Sequence, residues 1–205
     1  KKKVQEGWCN DAFAVLKRHA DEYMSLGTNP YAFSSKIHSN QWAGRVLNQH
    51  VSTLTLVGLL TGEKKYIDKA VEIAVAAARQ ATAKEFATYN DHLSVGDGAH
   101  AFAMAYDWLD PYLTGEQRAL LRSKVEDFGS WVYDYSLPQK GRRDLLNPTD
   151  LSCNHNPVVN GALGLCGLVL GDKPEWVELA TKYVRGYYKY SRDDTGYNYE
   201  GLGYY

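Results

Sequence analysis

The chain has 205 residues and a formal net charge of −1 at pH 7, a balance that gives no indication of a nucleic-acid-binding protein or of one held by an anionic membrane surface. No apolar run in the sequence reaches the length that spans a bilayer. The 16 tyrosines and 5 tryptophans are unusually many, and such flat side chains with polar groups suit sugar-binding surfaces as well as protein cores.

The first half of the chain has the periodicity of three helices. We predict a first helix over residues 6–26, ended by Gly27, and a second that begins near Gln41 and ends at Gly62. A third helix follows at once and runs out in the polar stretch ATYNDHLSVGDG. The expected core faces are Leu47, Val51, Leu54 and Gly58 in the second helix and Tyr66, Ala70, Ile73 and Ala77 in the third.

The second half predicts four more helices. Asp97 has the chemistry of an N-cap for a fourth helix over residues 99–109. Thr114 and Gln117 have the spacing of a capping box at the start of a fifth helix, and Pro174 lies in the first turn of a seventh. The expected core faces are Leu121, Val125, Phe128, Val132 and Tyr135 in the fifth helix and Trp176, Leu179, Tyr183, Tyr187 and Tyr190 in the seventh.

The sixth helix opens at Asn154-His155-Asn156-Pro157 and ends at Gly171. Asn156 suits the N-cap and Pro157 the first helical position, so we expect Asn154 and His155 just outside a helix N-terminus. Backbone N–H groups and the helix dipole favour an anion there, and an amide beside an imidazole makes a candidate carboxylate-binding site. On local spacing alone, a capped helix whose side chains bond only to nearby backbone is the favoured alternative, and the surrounding architecture is what supports a site.

The three cysteines do not have the spacing of metal ligands, and their number is odd. Cys153 and Cys166 flank the start of the glycine-rich sixth helix. We expect small buried side chains with one disulfide bridge at most, and we predict no cofactor for this chain. A metal held by a further domain stays an open alternative.

Short and long connectors alternate along the chain. Tight turns join the second helix to the third, the fourth to the fifth and the sixth to the seventh, whereas long connectors separate these pairs. We therefore expect antiparallel helical hairpins without a sheet, with every long connector at the same end of the bundle. Loops on a rigid scaffold often carry function, so we expect a site at that end. The connectors bring there His38, His92, Lys140, Arg142, Arg143, His155 and the terminal tyrosines.

Four segments carry a family resemblance: WAGRVLNQHVSTLTLVGLLTGEKKYIDKAVEIA, AYDWL, NHNPVVNGALGLCGLVLGD and DTGYNYEGLGYY. Together, and in this order, they resemble the helical toroid domain of the heparinase II/III-like polysaccharide lyase superfamily. Alginate and oligoalginate lyases of that superfamily, and dermatan sulfate epimerase, are similar. The resemblance covers about residues 40–205.

The resemblance implies an all-α fold in which antiparallel helical hairpins form an incomplete (α/α) toroid. Residues 1–205 would be a single helical domain, without the remaining hairpins and the β-sandwich domain that the family carries. We therefore expect an exposed apolar flank where later hairpins would pack, and association, for instance as a homo-oligomer, through that flank.

The resemblance also implies β-elimination at a uronic acid of an acidic polysaccharide or oligosaccharide. The family has an Asn-His pair at the sugar carboxylate, matched here by Asn154 and His155. A later tyrosine serves as base, acid or both, and Tyr205, or else Tyr204, matches it. Val158 stands where some heparinase II-type members have a glutamate, which favours an alginate-lyase-like relative.

Further residues are candidates for a substrate-binding surface, although packing or solvation is an open interpretation for each. These candidate residues are Tyr199, Arg142, Arg143, Trp42, Arg45 and His92.

The expected location of such an enzyme is periplasmic or secreted, while no signal peptide is visible in the sequence.

Three other functions stay open. A uronyl epimerase would share the deprotonation step and then return the proton to the opposite face. A toroid glycoside hydrolase would need two carboxylates across the bond, whereas Asp193, Asp194 and Glu200 all lie in the last segment. The third alternative is a truncated, non-catalytic glycan-binding helical module.

Overall fold

Helices make up the regular structure of the residues that the structure describes. The computed structural model describes residues 8–28, 43–87, 92–137 and 154–191, and within these ranges it contains no strand. The predicted all-α class is confirmed for these residues. The helices are α1 (Trp8–Tyr23), α2 (Ala43–Thr61), α3 (Lys64–Gln80), α4 (Ala83–Phe86), α5 (His92–Trp108), α6 (Gly115–Ser136), α7 (His155–Leu170) and α8 (Pro174–Tyr190), with a 3-10 helix at Asp110–Tyr112.

Local sequence signals set several helix ends. Thr114 and Gln117 form the predicted capping box at the start of α6, each side chain accepting a hydrogen bond from the other residue's backbone N–H. Gly62 and Gly171 have φ angles of 81° and 75°, a left-handed conformation that glycine adopts without steric cost. The predicted ends of α2 and α7 are therefore confirmed.

Six of the described helices pack as hairpins in two rows. The pairs α2–α3, α5–α6 and α7–α8 are each joined by a short connection and packed side by side. In one row α5 lies between α2 and α7, and in the other α6 contacts both α3 and α8, while α1 packs against α2. The first helices of the three hairpins therefore run in the same direction, with their N-terminal ends at one end of the bundle.

The hydrophobic core joins the two rows. Phe86, Phe102 and Phe128, from α4, α5 and α6, are fully buried. Their rings meet edge to face, with the centroid of Phe128 at 5.1 Å from Phe86 and 5.0 Å from Phe102. Burying one such side chain stabilises the fold by roughly 1.5–3 kcal/mol. The predicted core faces of α2 and α3 lie in the same core, which confirms their helical periodicity.

The predicted start of the fourth helix is wrong, because α5 begins at His92 rather than near residue 99. Asp97 is therefore not an N-cap but a residue inside the helix. The stretch HLSVGDG has low helix propensity, yet packing overrides it. Its glycines permit close helix contacts: a Cβ on Gly98 would lie 2.6 Å from the Phe128 ring, and one on Gly96 would lie 3.1 Å from Cα of Val159.

Two smaller features also differ from the sequence expectations. A four-residue helix, α4, lies in the expected polar stretch after α3, and Thr82 and Glu85 form a capping box at its start. Tyr190, expected on the buried face of α8, is 53 % exposed. It is the last residue of that helix.

An apolar groove of about 300 Å³ lies along the α7–α8 hairpin. Leu168, on its wall, is 66 % exposed, and a Cβ on Gly161 would meet no atom within 4 Å. Apolar surface is thus exposed at the last described hairpin, and the packing of later hairpins there stays a prediction. No helix among the described residues is both long and apolar enough to cross a bilayer.

Candidate functional site

The N-terminal ends of α2, α5 and α7 meet at one end of the bundle. The backbone N–H of Gly44 donates to the Ser94 hydroxyl oxygen over 3.1 Å. A Cβ at position 44 would lie 1.9 Å from the Ser94 carbonyl oxygen, so glycine is what permits this close approach of α2 to α5. Nε2 of His92, on α5, is 2.8 Å from Nδ1 of His155, on α7. These contacts fix the relative positions of the three helix ends.

A cavity of about 260 Å³ lies at this meeting point and has a mixed polar and apolar lining. Three residues proposed from the sequence, Arg45, Asn154 and His155, line it together, although they come from two separate parts of the chain. The side chains of Leu93 and Val158 complete the described part of the wall. These three polar side chains therefore lie together at one end of the bundle, and their functional role stays a prediction.

The two imidazoles beside the cavity form part of a longer row of ring contacts. His92 and His155 have centroids 4.9 Å apart, and His92 stacks on Tyr135 of α6 at 5.4 Å with an interplanar angle of 20°. Tyr135 stacks in turn on Trp131 at 4.8 Å and 13°. His92 is only 2 % exposed, so this residue, expected to bind substrate, reaches the cavity through His155.

The start of α7 differs from the prediction by two residues. Asn154 occupies the N-cap position with helical backbone angles and makes no side-chain capping hydrogen bond, and His155 is the first helical residue. Asn156, predicted as the cap, is fully buried inside the first turn, and its neighbour Pro157 lies one position further in. Proline is tolerated there because the first turn has no intrahelical acceptor for its missing N–H. The Asn154 amide and the His155 ring therefore belong to the helix end itself.

Arg45 is held by an ion pair across the α2–α5 contact. Its Nε lies 3.2 Å from Oδ2 of Asp97, whose side chain is 13 % exposed. Burial raises the pKa of the Asp97 carboxyl above its ordinary value, and the Arg45 guanidinium opposes that shift. The ionised Arg45–Asp97 pair has no net charge. Arg45 therefore contributes N–H donors to the cavity rather than a net positive charge.

The polar contacts continue along α2 and α5 away from the cavity. Nδ2 of Asn48 donates to Nδ1 of His100 over 3.2 Å, and the Ser52 hydroxyl donates to Oδ1 of Asn48 over 2.9 Å. Burial lowers the pKa of His100, with Asp97 opposing the shift, so its imidazole is neutral near pH 7. Asn48, Ser52 and His100 therefore form a hydrogen-bonded strip of side chains that extends from the cavity along α2 and α5.

Several site residues proposed from the sequence lie outside the described residues, and their expected roles stay predictions. They are Trp42, Arg142, Arg143, Tyr199, Tyr204 and Tyr205, together with His38, Lys140 and Cys153.

Two residues of the site carry roles that the sequence does not reveal. Tyr135 lies on the predicted core face of α6, and its contact with His92 depends on how α6 packs against α5 within their hairpin. Asp97 has the character of a cap, and its pairing with Arg45 depends on the early start of α5. The sequence indicates only weakly that α5 begins at His92, because the small residues in HLSVGDG are typical of closely packed helices as well as of loops.

The described part of the chain contains no group of three histidine, cysteine or acidic side chains arranged to hold a metal ion. Cys9 and Cys166 are free thiols. Burial raises the pKa of the Cys166 thiol to about 12, so this cysteine is a buried apolar residue rather than a nucleophile. No protein-family model matches the sequence, and no curated protein was found to match it.

Proposed function

We propose that this chain forms the carboxylate-binding part of a polysaccharide lyase that cleaves a uronic-acid-containing glycan by β-elimination. The observation that carries the proposal is the cavity lined by Arg45, Asn154 and His155 at the ends of α2 and α7. The Asn-His pair is also what the resemblance to heparinase II/III-like lyases assigns to the sugar carboxylate. The cavity and the resemblance thus both support a role for Asn154 and His155.

The chemistry of β-elimination explains why such a cavity is suitable. The proton beside a carboxylate is removable only if the negative charge that develops on the carboxyl oxygens is stabilised. The amide of Asn154, the imidazole of His155 and the guanidinium of Arg45 all carry N–H donors, and the N-terminus of α7 adds a favourable dipole. Leu93 and Val158 provide apolar surface against which a sugar ring can lie.

The transfer of the proton itself is assigned by the resemblance alone. Tyr205, or else Tyr204, is the proposed base and acid. A phenol has an ordinary pKa of about 10, so it needs nearby donors or positive charge to act as a base. The donors around the proposed carboxylate site are suited to that role.

The arrangement of the described hairpins supports a toroid-like scaffold for this site. In an (α/α) toroid each hairpin contributes one helix to an inner row and one to an outer row. The row α2–α5–α7 and the row α3–α6–α8 follow that alternation. We propose that the row carrying the cavity is the inner one.

The decisive experiment is to identify the product formed from alginate and from other uronic-acid glycans. A lyase gives a conjugated unsaturated uronate, detected by its ultraviolet absorbance, and fragments whose summed mass contains no added water. Fragments that contain added water would instead show a hydrolase. Uptake of solvent deuterium into uncleaved chains would show an epimerase, and binding without any reaction would show a glycan-binding module. Each of these last three results would contradict the proposal.

A further inference from the structure

The contact between His92 and His155 requires a single shared proton. Two bare ring nitrogens 2.8 Å apart repel each other, and two N–H groups pointing at each other do so as well. One ring must therefore donate and the other accept. His92 is 2 % exposed, so the surroundings also disfavour a charged imidazolium on its ring. The shared proton is therefore bonded either to Nε2 of His92 or to Nδ1 of His155.

We propose that His92 is a positioning residue that donates its Nε2–H to Nδ1 of His155 and thereby keeps the proton of His155 on Nε2, as a donor for a bound carboxylate. This inference rests on the proposed function. Because Nδ1 of His155 is engaged with His92, a hydrogen bond from His155 to an anion in the cavity must come from Nε2. A neutral His155 with a proton on Nε2 has a bare Nδ1, which needs a donor, and His92 supplies it.

Contacts on the far side of His92 fit the same direction of hydrogen bonding. When Nε2 of His92 carries the proton, its Nδ1 is bare and accepts, and the hydroxyl oxygen of Tyr135 lies 3.5 Å from that atom. This distance allows a weak hydrogen bond from the Tyr135 O–H. Stacking on Tyr135, which itself stacks on Trp131, holds the plane of the His92 ring. Hydrogen bonds then run from Tyr135 to His92, from His92 to His155 and from His155 to the carboxylate, which only accepts.

The placement of the proton is measurable in the wild-type protein by nitrogen NMR of its histidine rings. We expect the bridging proton to show a one-bond coupling to Nε2 of His92 and a smaller coupling, across the hydrogen bond, to Nδ1 of His155. A bridging proton bonded to Nδ1 of His155, or the absence of any shared proton, would overturn the proposal. This measurement needs no substrate, so it judges the inference even if the chain proves not to be a lyase.

A pair of variants separates the donor role of His92 from its bulk. His92→Gln keeps an N–H donor near the position of Nε2, whereas His92→Phe keeps a ring but has no donor. With alginate oligosaccharides as the probe, we expect His92→Gln to retain kcat within a few-fold. We expect His92→Phe to lower it by on the order of tenfold or more, by analogy with the partners that orient metal-binding histidines. Equal losses in the two variants would contradict a donor role.

Tyr135→Phe and Tyr133→Phe form a second matched pair on α6. Tyr133 stacks on Trp176, away from the imidazoles, so removing its hydroxyl should leave the His155 ring signals unchanged. Removing the Tyr135 hydroxyl should shift the Nδ1 resonance of His92 while the bridging proton stays on Nε2. If His92→Phe fails to fold, the wild-type spectrum and the two tyrosine variants still decide the outcome. A Tyr135→Phe spectrum identical to wild type would contradict the proposed order of donors.

Discussion

At the residue scale, the buried imidazole of His50 links stability to pH. His50 is 7 % exposed, and its ring lies 4.3 Å from that of Tyr23, between α2 and α1. Burial lowers the pKa of His50 from its ordinary 6.5 to about 4. Between these two values the unfolded chain binds the proton and the folded chain does not. The free energy of unfolding therefore rises with pH through this window. The stability that the neutral His50 contributes is lost as the pH falls from 6.5 towards 4.

We expect His50→Phe to flatten the pH dependence of stability in that window. The wild-type protein should lose up to about 3 kcal/mol of unfolding free energy through this one group between pH 6.5 and pH 4. Urea unfolding at a series of pH values measures the slope. The control is Leu54→Ala, which creates a cavity at a fully buried position without a titrating group and should lower stability by a similar amount at every pH. An unchanged slope in His50→Phe would contradict the assignment.

At the scale of the helices, glycines set how closely the hairpins pack. A Cβ on Gly129 of α6 would lie 2.2 Å from Cζ3 of Trp176 on α8, a distance at which one helix must move. A Cβ on Gly161 of α7 would meet no atom within 4 Å. Both glycines lie inside helices, so their intrinsic cost to helix formation is the same and only the packing differs.

We therefore expect opposite effects from two chemically identical substitutions. Gly129→Ala should destabilise the protein by roughly 1–3 kcal/mol through overpacking. Gly161→Ala should be neutral or stabilising by up to about 1 kcal/mol, because alanine is the better helix former. Thermal unfolding of both variants tests this, and a stabilised Gly129→Ala protein would contradict the described packing of α6 on α8.

Periodicity and capping signals predict much of the helical fold, and the limits of that prediction have physical causes. Leu47, Val51 and Leu54 could be placed in the core because one helical face recurs every three or four residues. The start of α5 could not be placed, since glycine and serine lower intrinsic helix propensity while permitting the close packing that makes the helix form. Local signals compete with tertiary contacts there, and the tertiary contacts decide.

The candidate site was predicted in part for a similar reason. Asn154 and His155 stand out because an amide and an imidazole adjoin a helix start, and Arg45 because it opens α2 at the connector end. Their convergence follows from the alternation of short and long connectors. The contact of Tyr135 with His92 could not be predicted, because it depends on the rotation of α6 against α5, which no local pattern encodes.

At the scale of the whole molecule, a groove along α7 and α8 exposes apolar surface. Leu168 is 66 % exposed on its wall, and an apolar surface of this kind favours association in water. Association of the chain through this flank stays a prediction. Sedimentation over a range of concentrations should show reversible association, and Leu168→Glu should weaken it without lowering the melting temperature.

Leu59→Glu is the matched control for that experiment. Leu59 lies on α2, outside the groove, and is 38 % exposed. Its replacement introduces the same charge on another helix and should leave the association constant near the wild-type value. A wild-type protein that stays monomeric at every concentration, or equal effects of the two substitutions, would contradict the predicted role of the flank.

The central claim is that the cavity formed by Arg45, Asn154 and His155 binds the uronate carboxylate during β-elimination. The most direct test is the rate of unsaturated uronate formation from a uronic-acid glycan by the wild type, Asn154→Ala and His155→Ala. The control is His19→Gln, which replaces a surface imidazole on α1. We predict that Asn154→Ala lowers kcat by roughly a hundredfold, the scale for losing one donor at a developing oxyanion, that His155→Ala lowers it at least as much, and that His19→Gln has no effect. Turnover that persists near the wild-type rate in both cavity variants would contradict the account.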